Sequence, residues 1–358
     1  MNSPSKPAAT SQSEGARSGL YRVAIVGASA LKGKEVAEVL RDRNFPALDI
    51  KLLDDDESLG QLESVGDEIS FIQGASTEGF TNIDFAFFTA TQEFTQSIWK
   101  RVRDAGSAIV DLSYALEDEP DAQVRSPWIE RQLEQSRPLE LQPGPSVVAH
   151  PASIVLALLL LRAQHAAKLA HVTATVYEPV SEHGQKGMDE LHEQTVNLLS
   201  FQSLPKNVFD TQVAFNMVAR YGEQSTPPLA STERRVLKHY QAIAGKNQIV
   251  PSLLLVQAPI FHGHAFAVHL ELEQPVDIAA LSKALSGEHV NIIASSEEAP
   301  SNVNAAGQAD ILVSLIPDAS NPHGIWLWAA SDNLRISATT AVECAETMAA
   351  SRPRGKIQ

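Results

Sequence analysis

Two short stretches hold the residues best suited to chemistry. The first is VVAHPASIVLALLLL, residues 147–161. It reads as the end of a strand, a short turn and the opening of an apolar helix, a corner that often displays a nucleophile. At its tip stand His150, Pro151, Ala152 and Ser153, while the single cysteine, Cys344, lies far along the chain. A serine hydroxyl needs a base to attack. The second stretch, FHGH at 261–264, offers one in His264, and Glu178 in VYEPVS could orient its ring. Together Ser153, His264 and Glu178 have the types of a hydrolase-like set. The competing reading makes His264 a vestigial strand histidine. His262 and His264 share a strand face, but no set of carboxylates or cysteines accompanies them, so no metal site is expected.

A third stretch suits phosphate. GASALKG, residues 27–33, follows an apolar strand and precedes a helix. Glycines at such a turn let backbone N–H groups approach a pyrophosphate at the helix N-terminus. Ala30 takes the place of the middle glycine, where a Cβ intrudes and a positive φ is strained. Lys32 adds a positive charge. After the second strand comes LLDDDESLG, with Asp54, Asp55, Asp56 and Glu57 and no cation. A carboxylate there accepts ribose hydroxyls and repels a 2′-phosphate, which favours NAD over NADP. A solvated acidic turn without ligand is the other reading.

The elements that must position these residues alternate. YRVAIVG, LDIKLL, IDFAFFTA and SAIVDLS read as strands, with helical KEVAEVLRDRNF and TQSIWKRVRDAG between them. That order argues for a parallel, doubly wound sheet. After residue 150 the pattern becomes α+β with a mostly antiparallel sheet. KGMDELHEQTVNLLS and ERRVLKHYQAIAG are amphipathic helices, the latter with Gly245 as its stop. Tyr177, Trp326 and Trp328 read as core or interface residues.

The chain has 358 residues, 44% hydrophobic and 20% charged, enough for two domains with cores. Its net charge of −15 and the absence of a basic stripe speak against nucleic-acid binding. One cysteine excludes a disulfide framework and suits a reducing, cytoplasmic setting. The longest apolar run, 154–161, is too short to span a membrane. Residues 1–19 carry no apolar signal region and read as a disordered tail.

From residue 21 to about 350 the chain resembles the aspartate-semialdehyde dehydrogenases. The resemblance is carried, in family order, by VAIVGASALKGKEVAEVLRDRNFP, IDFAFFTA, AIVDLS, VAFNMV, APIFHGHAFAVHLELEQPV and ASDNLRISATTAVECAE. It is greatest to paralogues that lack the nucleophilic cysteine. In that family a thiolate attacks the aldehyde, hydride passes to NADP, and phosphate releases an acyl phosphate. Without gaps Ser153 falls on the cysteine position; a one-residue shift puts Ala152 there. Glu178 stands where the family has glutamine, and His264 matches its histidine. Thr232 and Arg235 match an E-x-x-K pair, of which only the cation is kept. Three arginines for anions become Glu57, Gln257 and, near the phosphate position, Glu117, while Ser337 takes the place of a glycine near the nicotinamide. Losing one buried charged partner typically costs about 2–5 kcal/mol of binding.

The resemblance implies an α/β chain: a Rossmann-like dinucleotide-binding domain at 20–150, an α+β dimerisation/catalytic-type domain at 151–330, and a C-terminal helix at 331–358 returning to the first domain. Cofactor candidates are Gly27, Ser29, Ala30, Leu31, Gly33, Asp54, Ser58 and Asn333, for NAD or NADP with NAD favoured. The expected partner is a second copy, with a small molecule or nucleotide as ligand. The expected function is a semialdehyde dehydrogenase-like protein without that activity, acting by binding, regulation or subunit pairing. The alternatives are an active NADP-dependent enzyme of amino-acid biosynthesis, or an enzyme of altered chemistry built on Ser153 and His264.

Overall fold

A computed structural model describes residues 20–55, 59–65, 68–75, 77–135 and 144–351. The first half contains β1 (Tyr21–Val26), β2 (Ala47–Asp54), a hairpin of β3 (Leu62–Val65) and β4 (Glu68–Phe71), β5 (Gln73–Gly74), β6 (Phe85–Phe88), β7 (Ala108–Asp111), β8 (Gln123–Arg125) and β9 (Ser146–Val148). Seven of these form one sheet in the order β5-β2-β1-β6-β7-β9-β8. Every pairing in it is parallel. Such sheets need cover on both faces, which is why β6 is an uninterrupted buried FAFF.

The cover comes from helices whose apolar stripes match. α1 (Leu31–Asp42) buries Val36, Ala37, Val39 and Leu40, and α2 (Gln92–Asp104) buries Ile98, Trp99 and Val102 on the opposite face. Thr91 caps α2 by accepting from the Phe94 N–H. α3 (Pro127–Gln132) starts with proline, where no N–H is needed.

The second half contains α4 (Pro151–Ala166), α5 (Gly184–Leu199), α6 (Leu229–Ala244), α7 (Ile278–Leu285) and a six-stranded sheet. Its strands are β10 (Leu169–Glu178), β11 (Ser252–Gln257), β12 (His264–Leu272), β13 (Val290–Ile292), β14 (Ile311–Pro317) and β15 (Gly324–Ser331), in the order β11-β10-β12-β15-β14-β13. Three of its five pairings are antiparallel, so the sheet is mixed. The FHGH segment joins β11 and β12 across β10, which lies between them. α4 is apolar on all sides over residues 154–161 and is buried from Pro151 to Ala163. α6 stops at Gly245, whose φ of +96° suits glycine alone. α8 (Asn333–Ser351) leaves β15 and lays Ala338, Ala341, Val342, Cys344 and Ala345 on the core of the first sheet beside α1.

One face of the second sheet packs on α4 through alternate residues such as Val172, Val176, Phe266, Val268 and Leu327. The other face is covered at one end, where Ala330 and Leu312 pack against Ala305 and Trp328 donates to the Pro300 carbonyl, and is exposed elsewhere. Trp326 pairs with His269 on one side and Ile316 on the other, and Trp326 and Ile316 are exposed.

Candidate active site between the two domains

The glycine turn lies at the carboxyl end of β1. Gly27 has φ +91°, and a Cβ there would fall 2.3 Å from the Ala90 nitrogen. A Cβ on Gly33 would fall 2.3 Å from the Gly27 carbonyl. Both positions therefore require glycine. Ala30 is different. It is the N-cap of α1 with φ −70° and ψ 153°, so the strain expected of an alanine there does not arise. Leu31 opens the helix. Asp54, at the end of β2, accepts the Ser29 N–H at 2.8 Å and the Asp55 N–H at 3.0 Å. Asp56, Glu57 and Ser58 lie outside the described residues.

Lys32 does not face outward toward a phosphate. Its ammonium is 3.5 Å from the Leu112 carbonyl beyond β7, 3.2 Å from the Tyr114 hydroxyl and 3.5 Å from a Glu182 carboxylate oxygen. It also lies over the Tyr114 ring, at 4.5 Å from the centroid. Burial disfavours the lysine charge, but Glu182 and Tyr114 outweigh it and raise the Lys32 pKa. Burial likewise opposes the Glu182 charge, yet Lys32 and His150 hold that carboxyl well below the usual range. Tyr114 is pushed up to about 12 by burial, with Lys32 opposing.

Glu182 sits in a short 3-10 turn, Val180–His183, directly after β10. Asn333, the first residue of α8, donates to it at 2.7 Å. The Asn333 carbonyl oxygen accepts the Gly263 N–H at 3.1 Å, so the whole amide is engaged within the protein.

At the corner before α4, His150 is the N-cap, its Nδ1 accepting the Ala152 N–H at 3.3 Å. Burial lowers its pKa. Its Nε2 lies 3.8 Å from Glu182. The His150 N–H donates to Nδ1 of His239 on α6, which fixes the tautomer of His239. His239 then donates from Nε2 to Glu117 at 2.9 Å. Glu117 also pairs with Arg235 at 2.9 Å. Burial alone would raise the Glu117 pKa, but His239 and Arg235 bring it down to about 2.

Ser153 is fully buried, and its hydroxyl donates to the Val236 carbonyl at 2.7 Å. The structure does not join it to His264. Instead the His150 and His264 rings approach each other, with centroids 5.8 Å apart. His264 and Glu178 are both buried and 4.0 Å apart, beyond hydrogen-bond reach, and none of their four side-chain polar atoms has a hydrogen-bond partner among the described residues. Burial raises the Glu178 pKa, with His264 opposing. Glu178 and His264 thus stand near each other without a hydrogen bond that could orient the ring, while Ser153 is held elsewhere. Gln257, in place of an anion-binding arginine, accepts from Tyr221 at 2.6 Å and donates to the Glu178 and Ala258 carbonyls. Tyr221 is itself 2.9 Å from His183 Nε2. Burial lowers the His183 pKa to about 4 against the pull of Glu182.

Among the described residues no group of three or more His, Cys, Asp or Glu side chains could hold a metal ion. No described helix is long and apolar enough to cross a membrane.

Comparison with known proteins fits this arrangement. Residues 22–136 match the semialdehyde dehydrogenase NAD binding domain, and residues 158–336 match the semialdehyde dehydrogenase dimerisation domain. A USG-1 protein homolog of Pseudomonas aeruginosa is 32% identical over 87% of this chain and 93% of its own length. This chain belongs to the aspartate-semialdehyde dehydrogenase family. Another member, the aspartate-semialdehyde dehydrogenase of Rickettsia conorii, is 29% identical over 92% of this chain and 97% of its own. Among solved structures, aspartate semialdehyde dehydrogenase II of Vibrio cholerae, complexed with ASA, superposes with a TM-score of 0.81 at 26% identity. That match covers 92% of this chain and 98% of the other.

For a member of a semialdehyde dehydrogenase family, the residues beside the glycine turn are an unusual lining for a dinucleotide's far half. The glycine turn keeps the close backbone approach a phosphate needs, but Lys32, Glu182 and Asn333 fill each other's hydrogen-bonding positions beside it. The one cysteine of the chain is Cys344, buried on α8 in the first domain's core and away from the family's nucleophile corner. Sequence reasoning missed Tyr114, Glu182, His183, Tyr221 and His239. The only local signal was the SEH triplet after the strand VYEPV, polar and charged where the chain turns at a strand end.

Proposed function

We propose that this chain is a paralogue without phosphorylating aldehyde dehydrogenation, acting as a dimeric binding or regulatory protein. The observation that carries this reading is the corner itself. No thiol stands there, and the one hydroxyl, on Ser153, is tied to the Val236 carbonyl rather than to a base. A nucleophile needs a base within hydrogen-bond reach. The positions expected to bind anions are also neutralised internally: Glu117 engages Arg235, and Gln257 engages Tyr221. Incubation with aspartate semialdehyde, phosphate and either NAD or NADP is expected to give no reduced cofactor above background. Turnover above background would sink the reading.

The exposed part of the second sheet's outer face supports pairing with a second copy. Trp326 and Ile316 are exposed side by side there, and Trp328, His269 and Thr175 continue the same face. In sedimentation velocity, Trp326→Lys is expected to weaken the dimer at least about tenfold. The acidic end of β2 ranks NAD ahead of NADP in any form of the chain that admits a dinucleotide, because Asp54 closes that side with a carboxylate. A cytoplasmic location goes with the single buried thiol.

A further inference from the structure

In open α/β sheets a ligand lies outside the carboxyl ends of the strands, where strand order reverses. Here that point falls between β1 and β6. Asp54 marks the adenosine side, at the end of β2. The other half of a dinucleotide must then cross the ends of β6 and β7. Lys32 stands in that path, with its ammonium against the Leu112 carbonyl and the Tyr114 hydroxyl. Glu182 meets it from the opposite domain, and Asn333 on α8 anchors Glu182. The two charged side chains are only 14% and 5% exposed, so they are buried where the two domains meet.

We propose that the Lys32–Glu182 pair, backed by Tyr114 and Asn333, is an internal occupant of the nicotinamide half of this crevice. The native chain therefore rejects intact NAD and NADP, and removing both side chains opens a dinucleotide site. The arrangement joins four segments distant in sequence: the first turn of α1, the loop after β7, the turn after β10 and the start of α8. Each polar group in it is matched by another, so a ligand must displace an ion pair and its supporting hydrogen bonds together. The inference concerns binding: it does not follow from a lack of turnover, whereas NAD- or NADP-dependent turnover of an aldehyde by the native chain would overturn it together with the proposed function, and weak binding by the native chain separates the two.

Calorimetry with NAD and NADP, and NADH fluorescence, test it on the full chain. The native protein is expected to show no saturable binding below about 1 mM. Lys32→Ala with Glu182→Ala is expected to bind a dinucleotide at least about tenfold more tightly than the native chain. Circular dichroism and a urea transition establish that this variant is folded. Should it unfold, Lys32→Met with Glu182→Ala, which also buries no charge, carries the same comparison. Micromolar binding by the native chain overturns the proposal. So does a folded double variant that binds no more tightly than the native chain.

Discussion

Two neighbouring parts of the interdomain cluster treat buried charge in opposite ways. Around Glu182, the carboxylate has an ammonium at 3.5 Å and an amide donor at 2.7 Å. Around Glu178, the carboxyl oxygens have no hydrogen-bond donor among the described residues, and the nearest imidazoles, of His183 and His264, stand at 4.0 Å. The first group has its pKa lowered and the second has it raised, although both are almost wholly buried. Burial penalises both alike; donors and a fixed countercharge decide the outcome. Within one cluster, then, one carboxyl is held as an anion between two domains, and another is buried with its charge disfavoured.

The largest expected effect comes from breaking the paired part on one side. Glu182→Ala leaves Lys32 buried without its countercharge and is expected to destabilise the fold by about 3–5 kcal/mol in urea unfolding. The Lys32→Ala/Glu182→Ala variant should lose less than this single one. A smaller loss from Glu182→Ala than from the double would break the comparison.

Glu117 tests the paired behaviour through pH. Its pKa is about 2 in the folded chain against an ordinary value of 4.5, so the folded state holds the proton less tightly than the unfolded one. Its contribution is present above about pH 4.5 and is lost as the pH falls toward about 2. Glu117→Gln should lower stability near neutrality by about 1–3 kcal/mol and flatten the decline across that acid window. An unchanged acid limb would remove Glu117 as its source. The smallest effect is expected at the unpaired carboxyl. Glu178→Gln replaces a buried carboxyl that has no hydrogen-bond donor among the described residues with a neutral isostere, and should cost under about 1 kcal/mol. A loss matching that of Glu182→Ala would show that Glu178 is a working anion.

Much of the frame was legible from local pattern. The apolar run YRVAIV followed by glycine gave β1 and its turn, because only glycine fits the approach of Ala90 to Gly27. Gly245 marked the end of α6 through its positive φ. The apolar run 154–161 of α4 showed its burial in its composition. The site was legible mainly as losses. Glu117 read as a reversed charge and Arg235 as a kept cation, yet nothing local indicates that they pair, since the loop after β7 and α6 meet only in the fold. The direction of Lys32 was hidden for the same reason, as its partner arrives from the turn after β10. Ser153 was readable in position but not in orientation, because its acceptor is a backbone carbonyl of α6.

Cys344 has a practical consequence. It is fully buried on α8, beneath the helix pair that closes the first domain. With one thiol in the chain and none at the surface, a thiol reagent can react only when α8 lifts from α1 and the sheet beneath. The native sequence thus carries its own clock for that opening. At reagent concentrations where the folded state recloses faster than it is modified, the labelling rate reads the opening equilibrium directly, with no engineered cysteine.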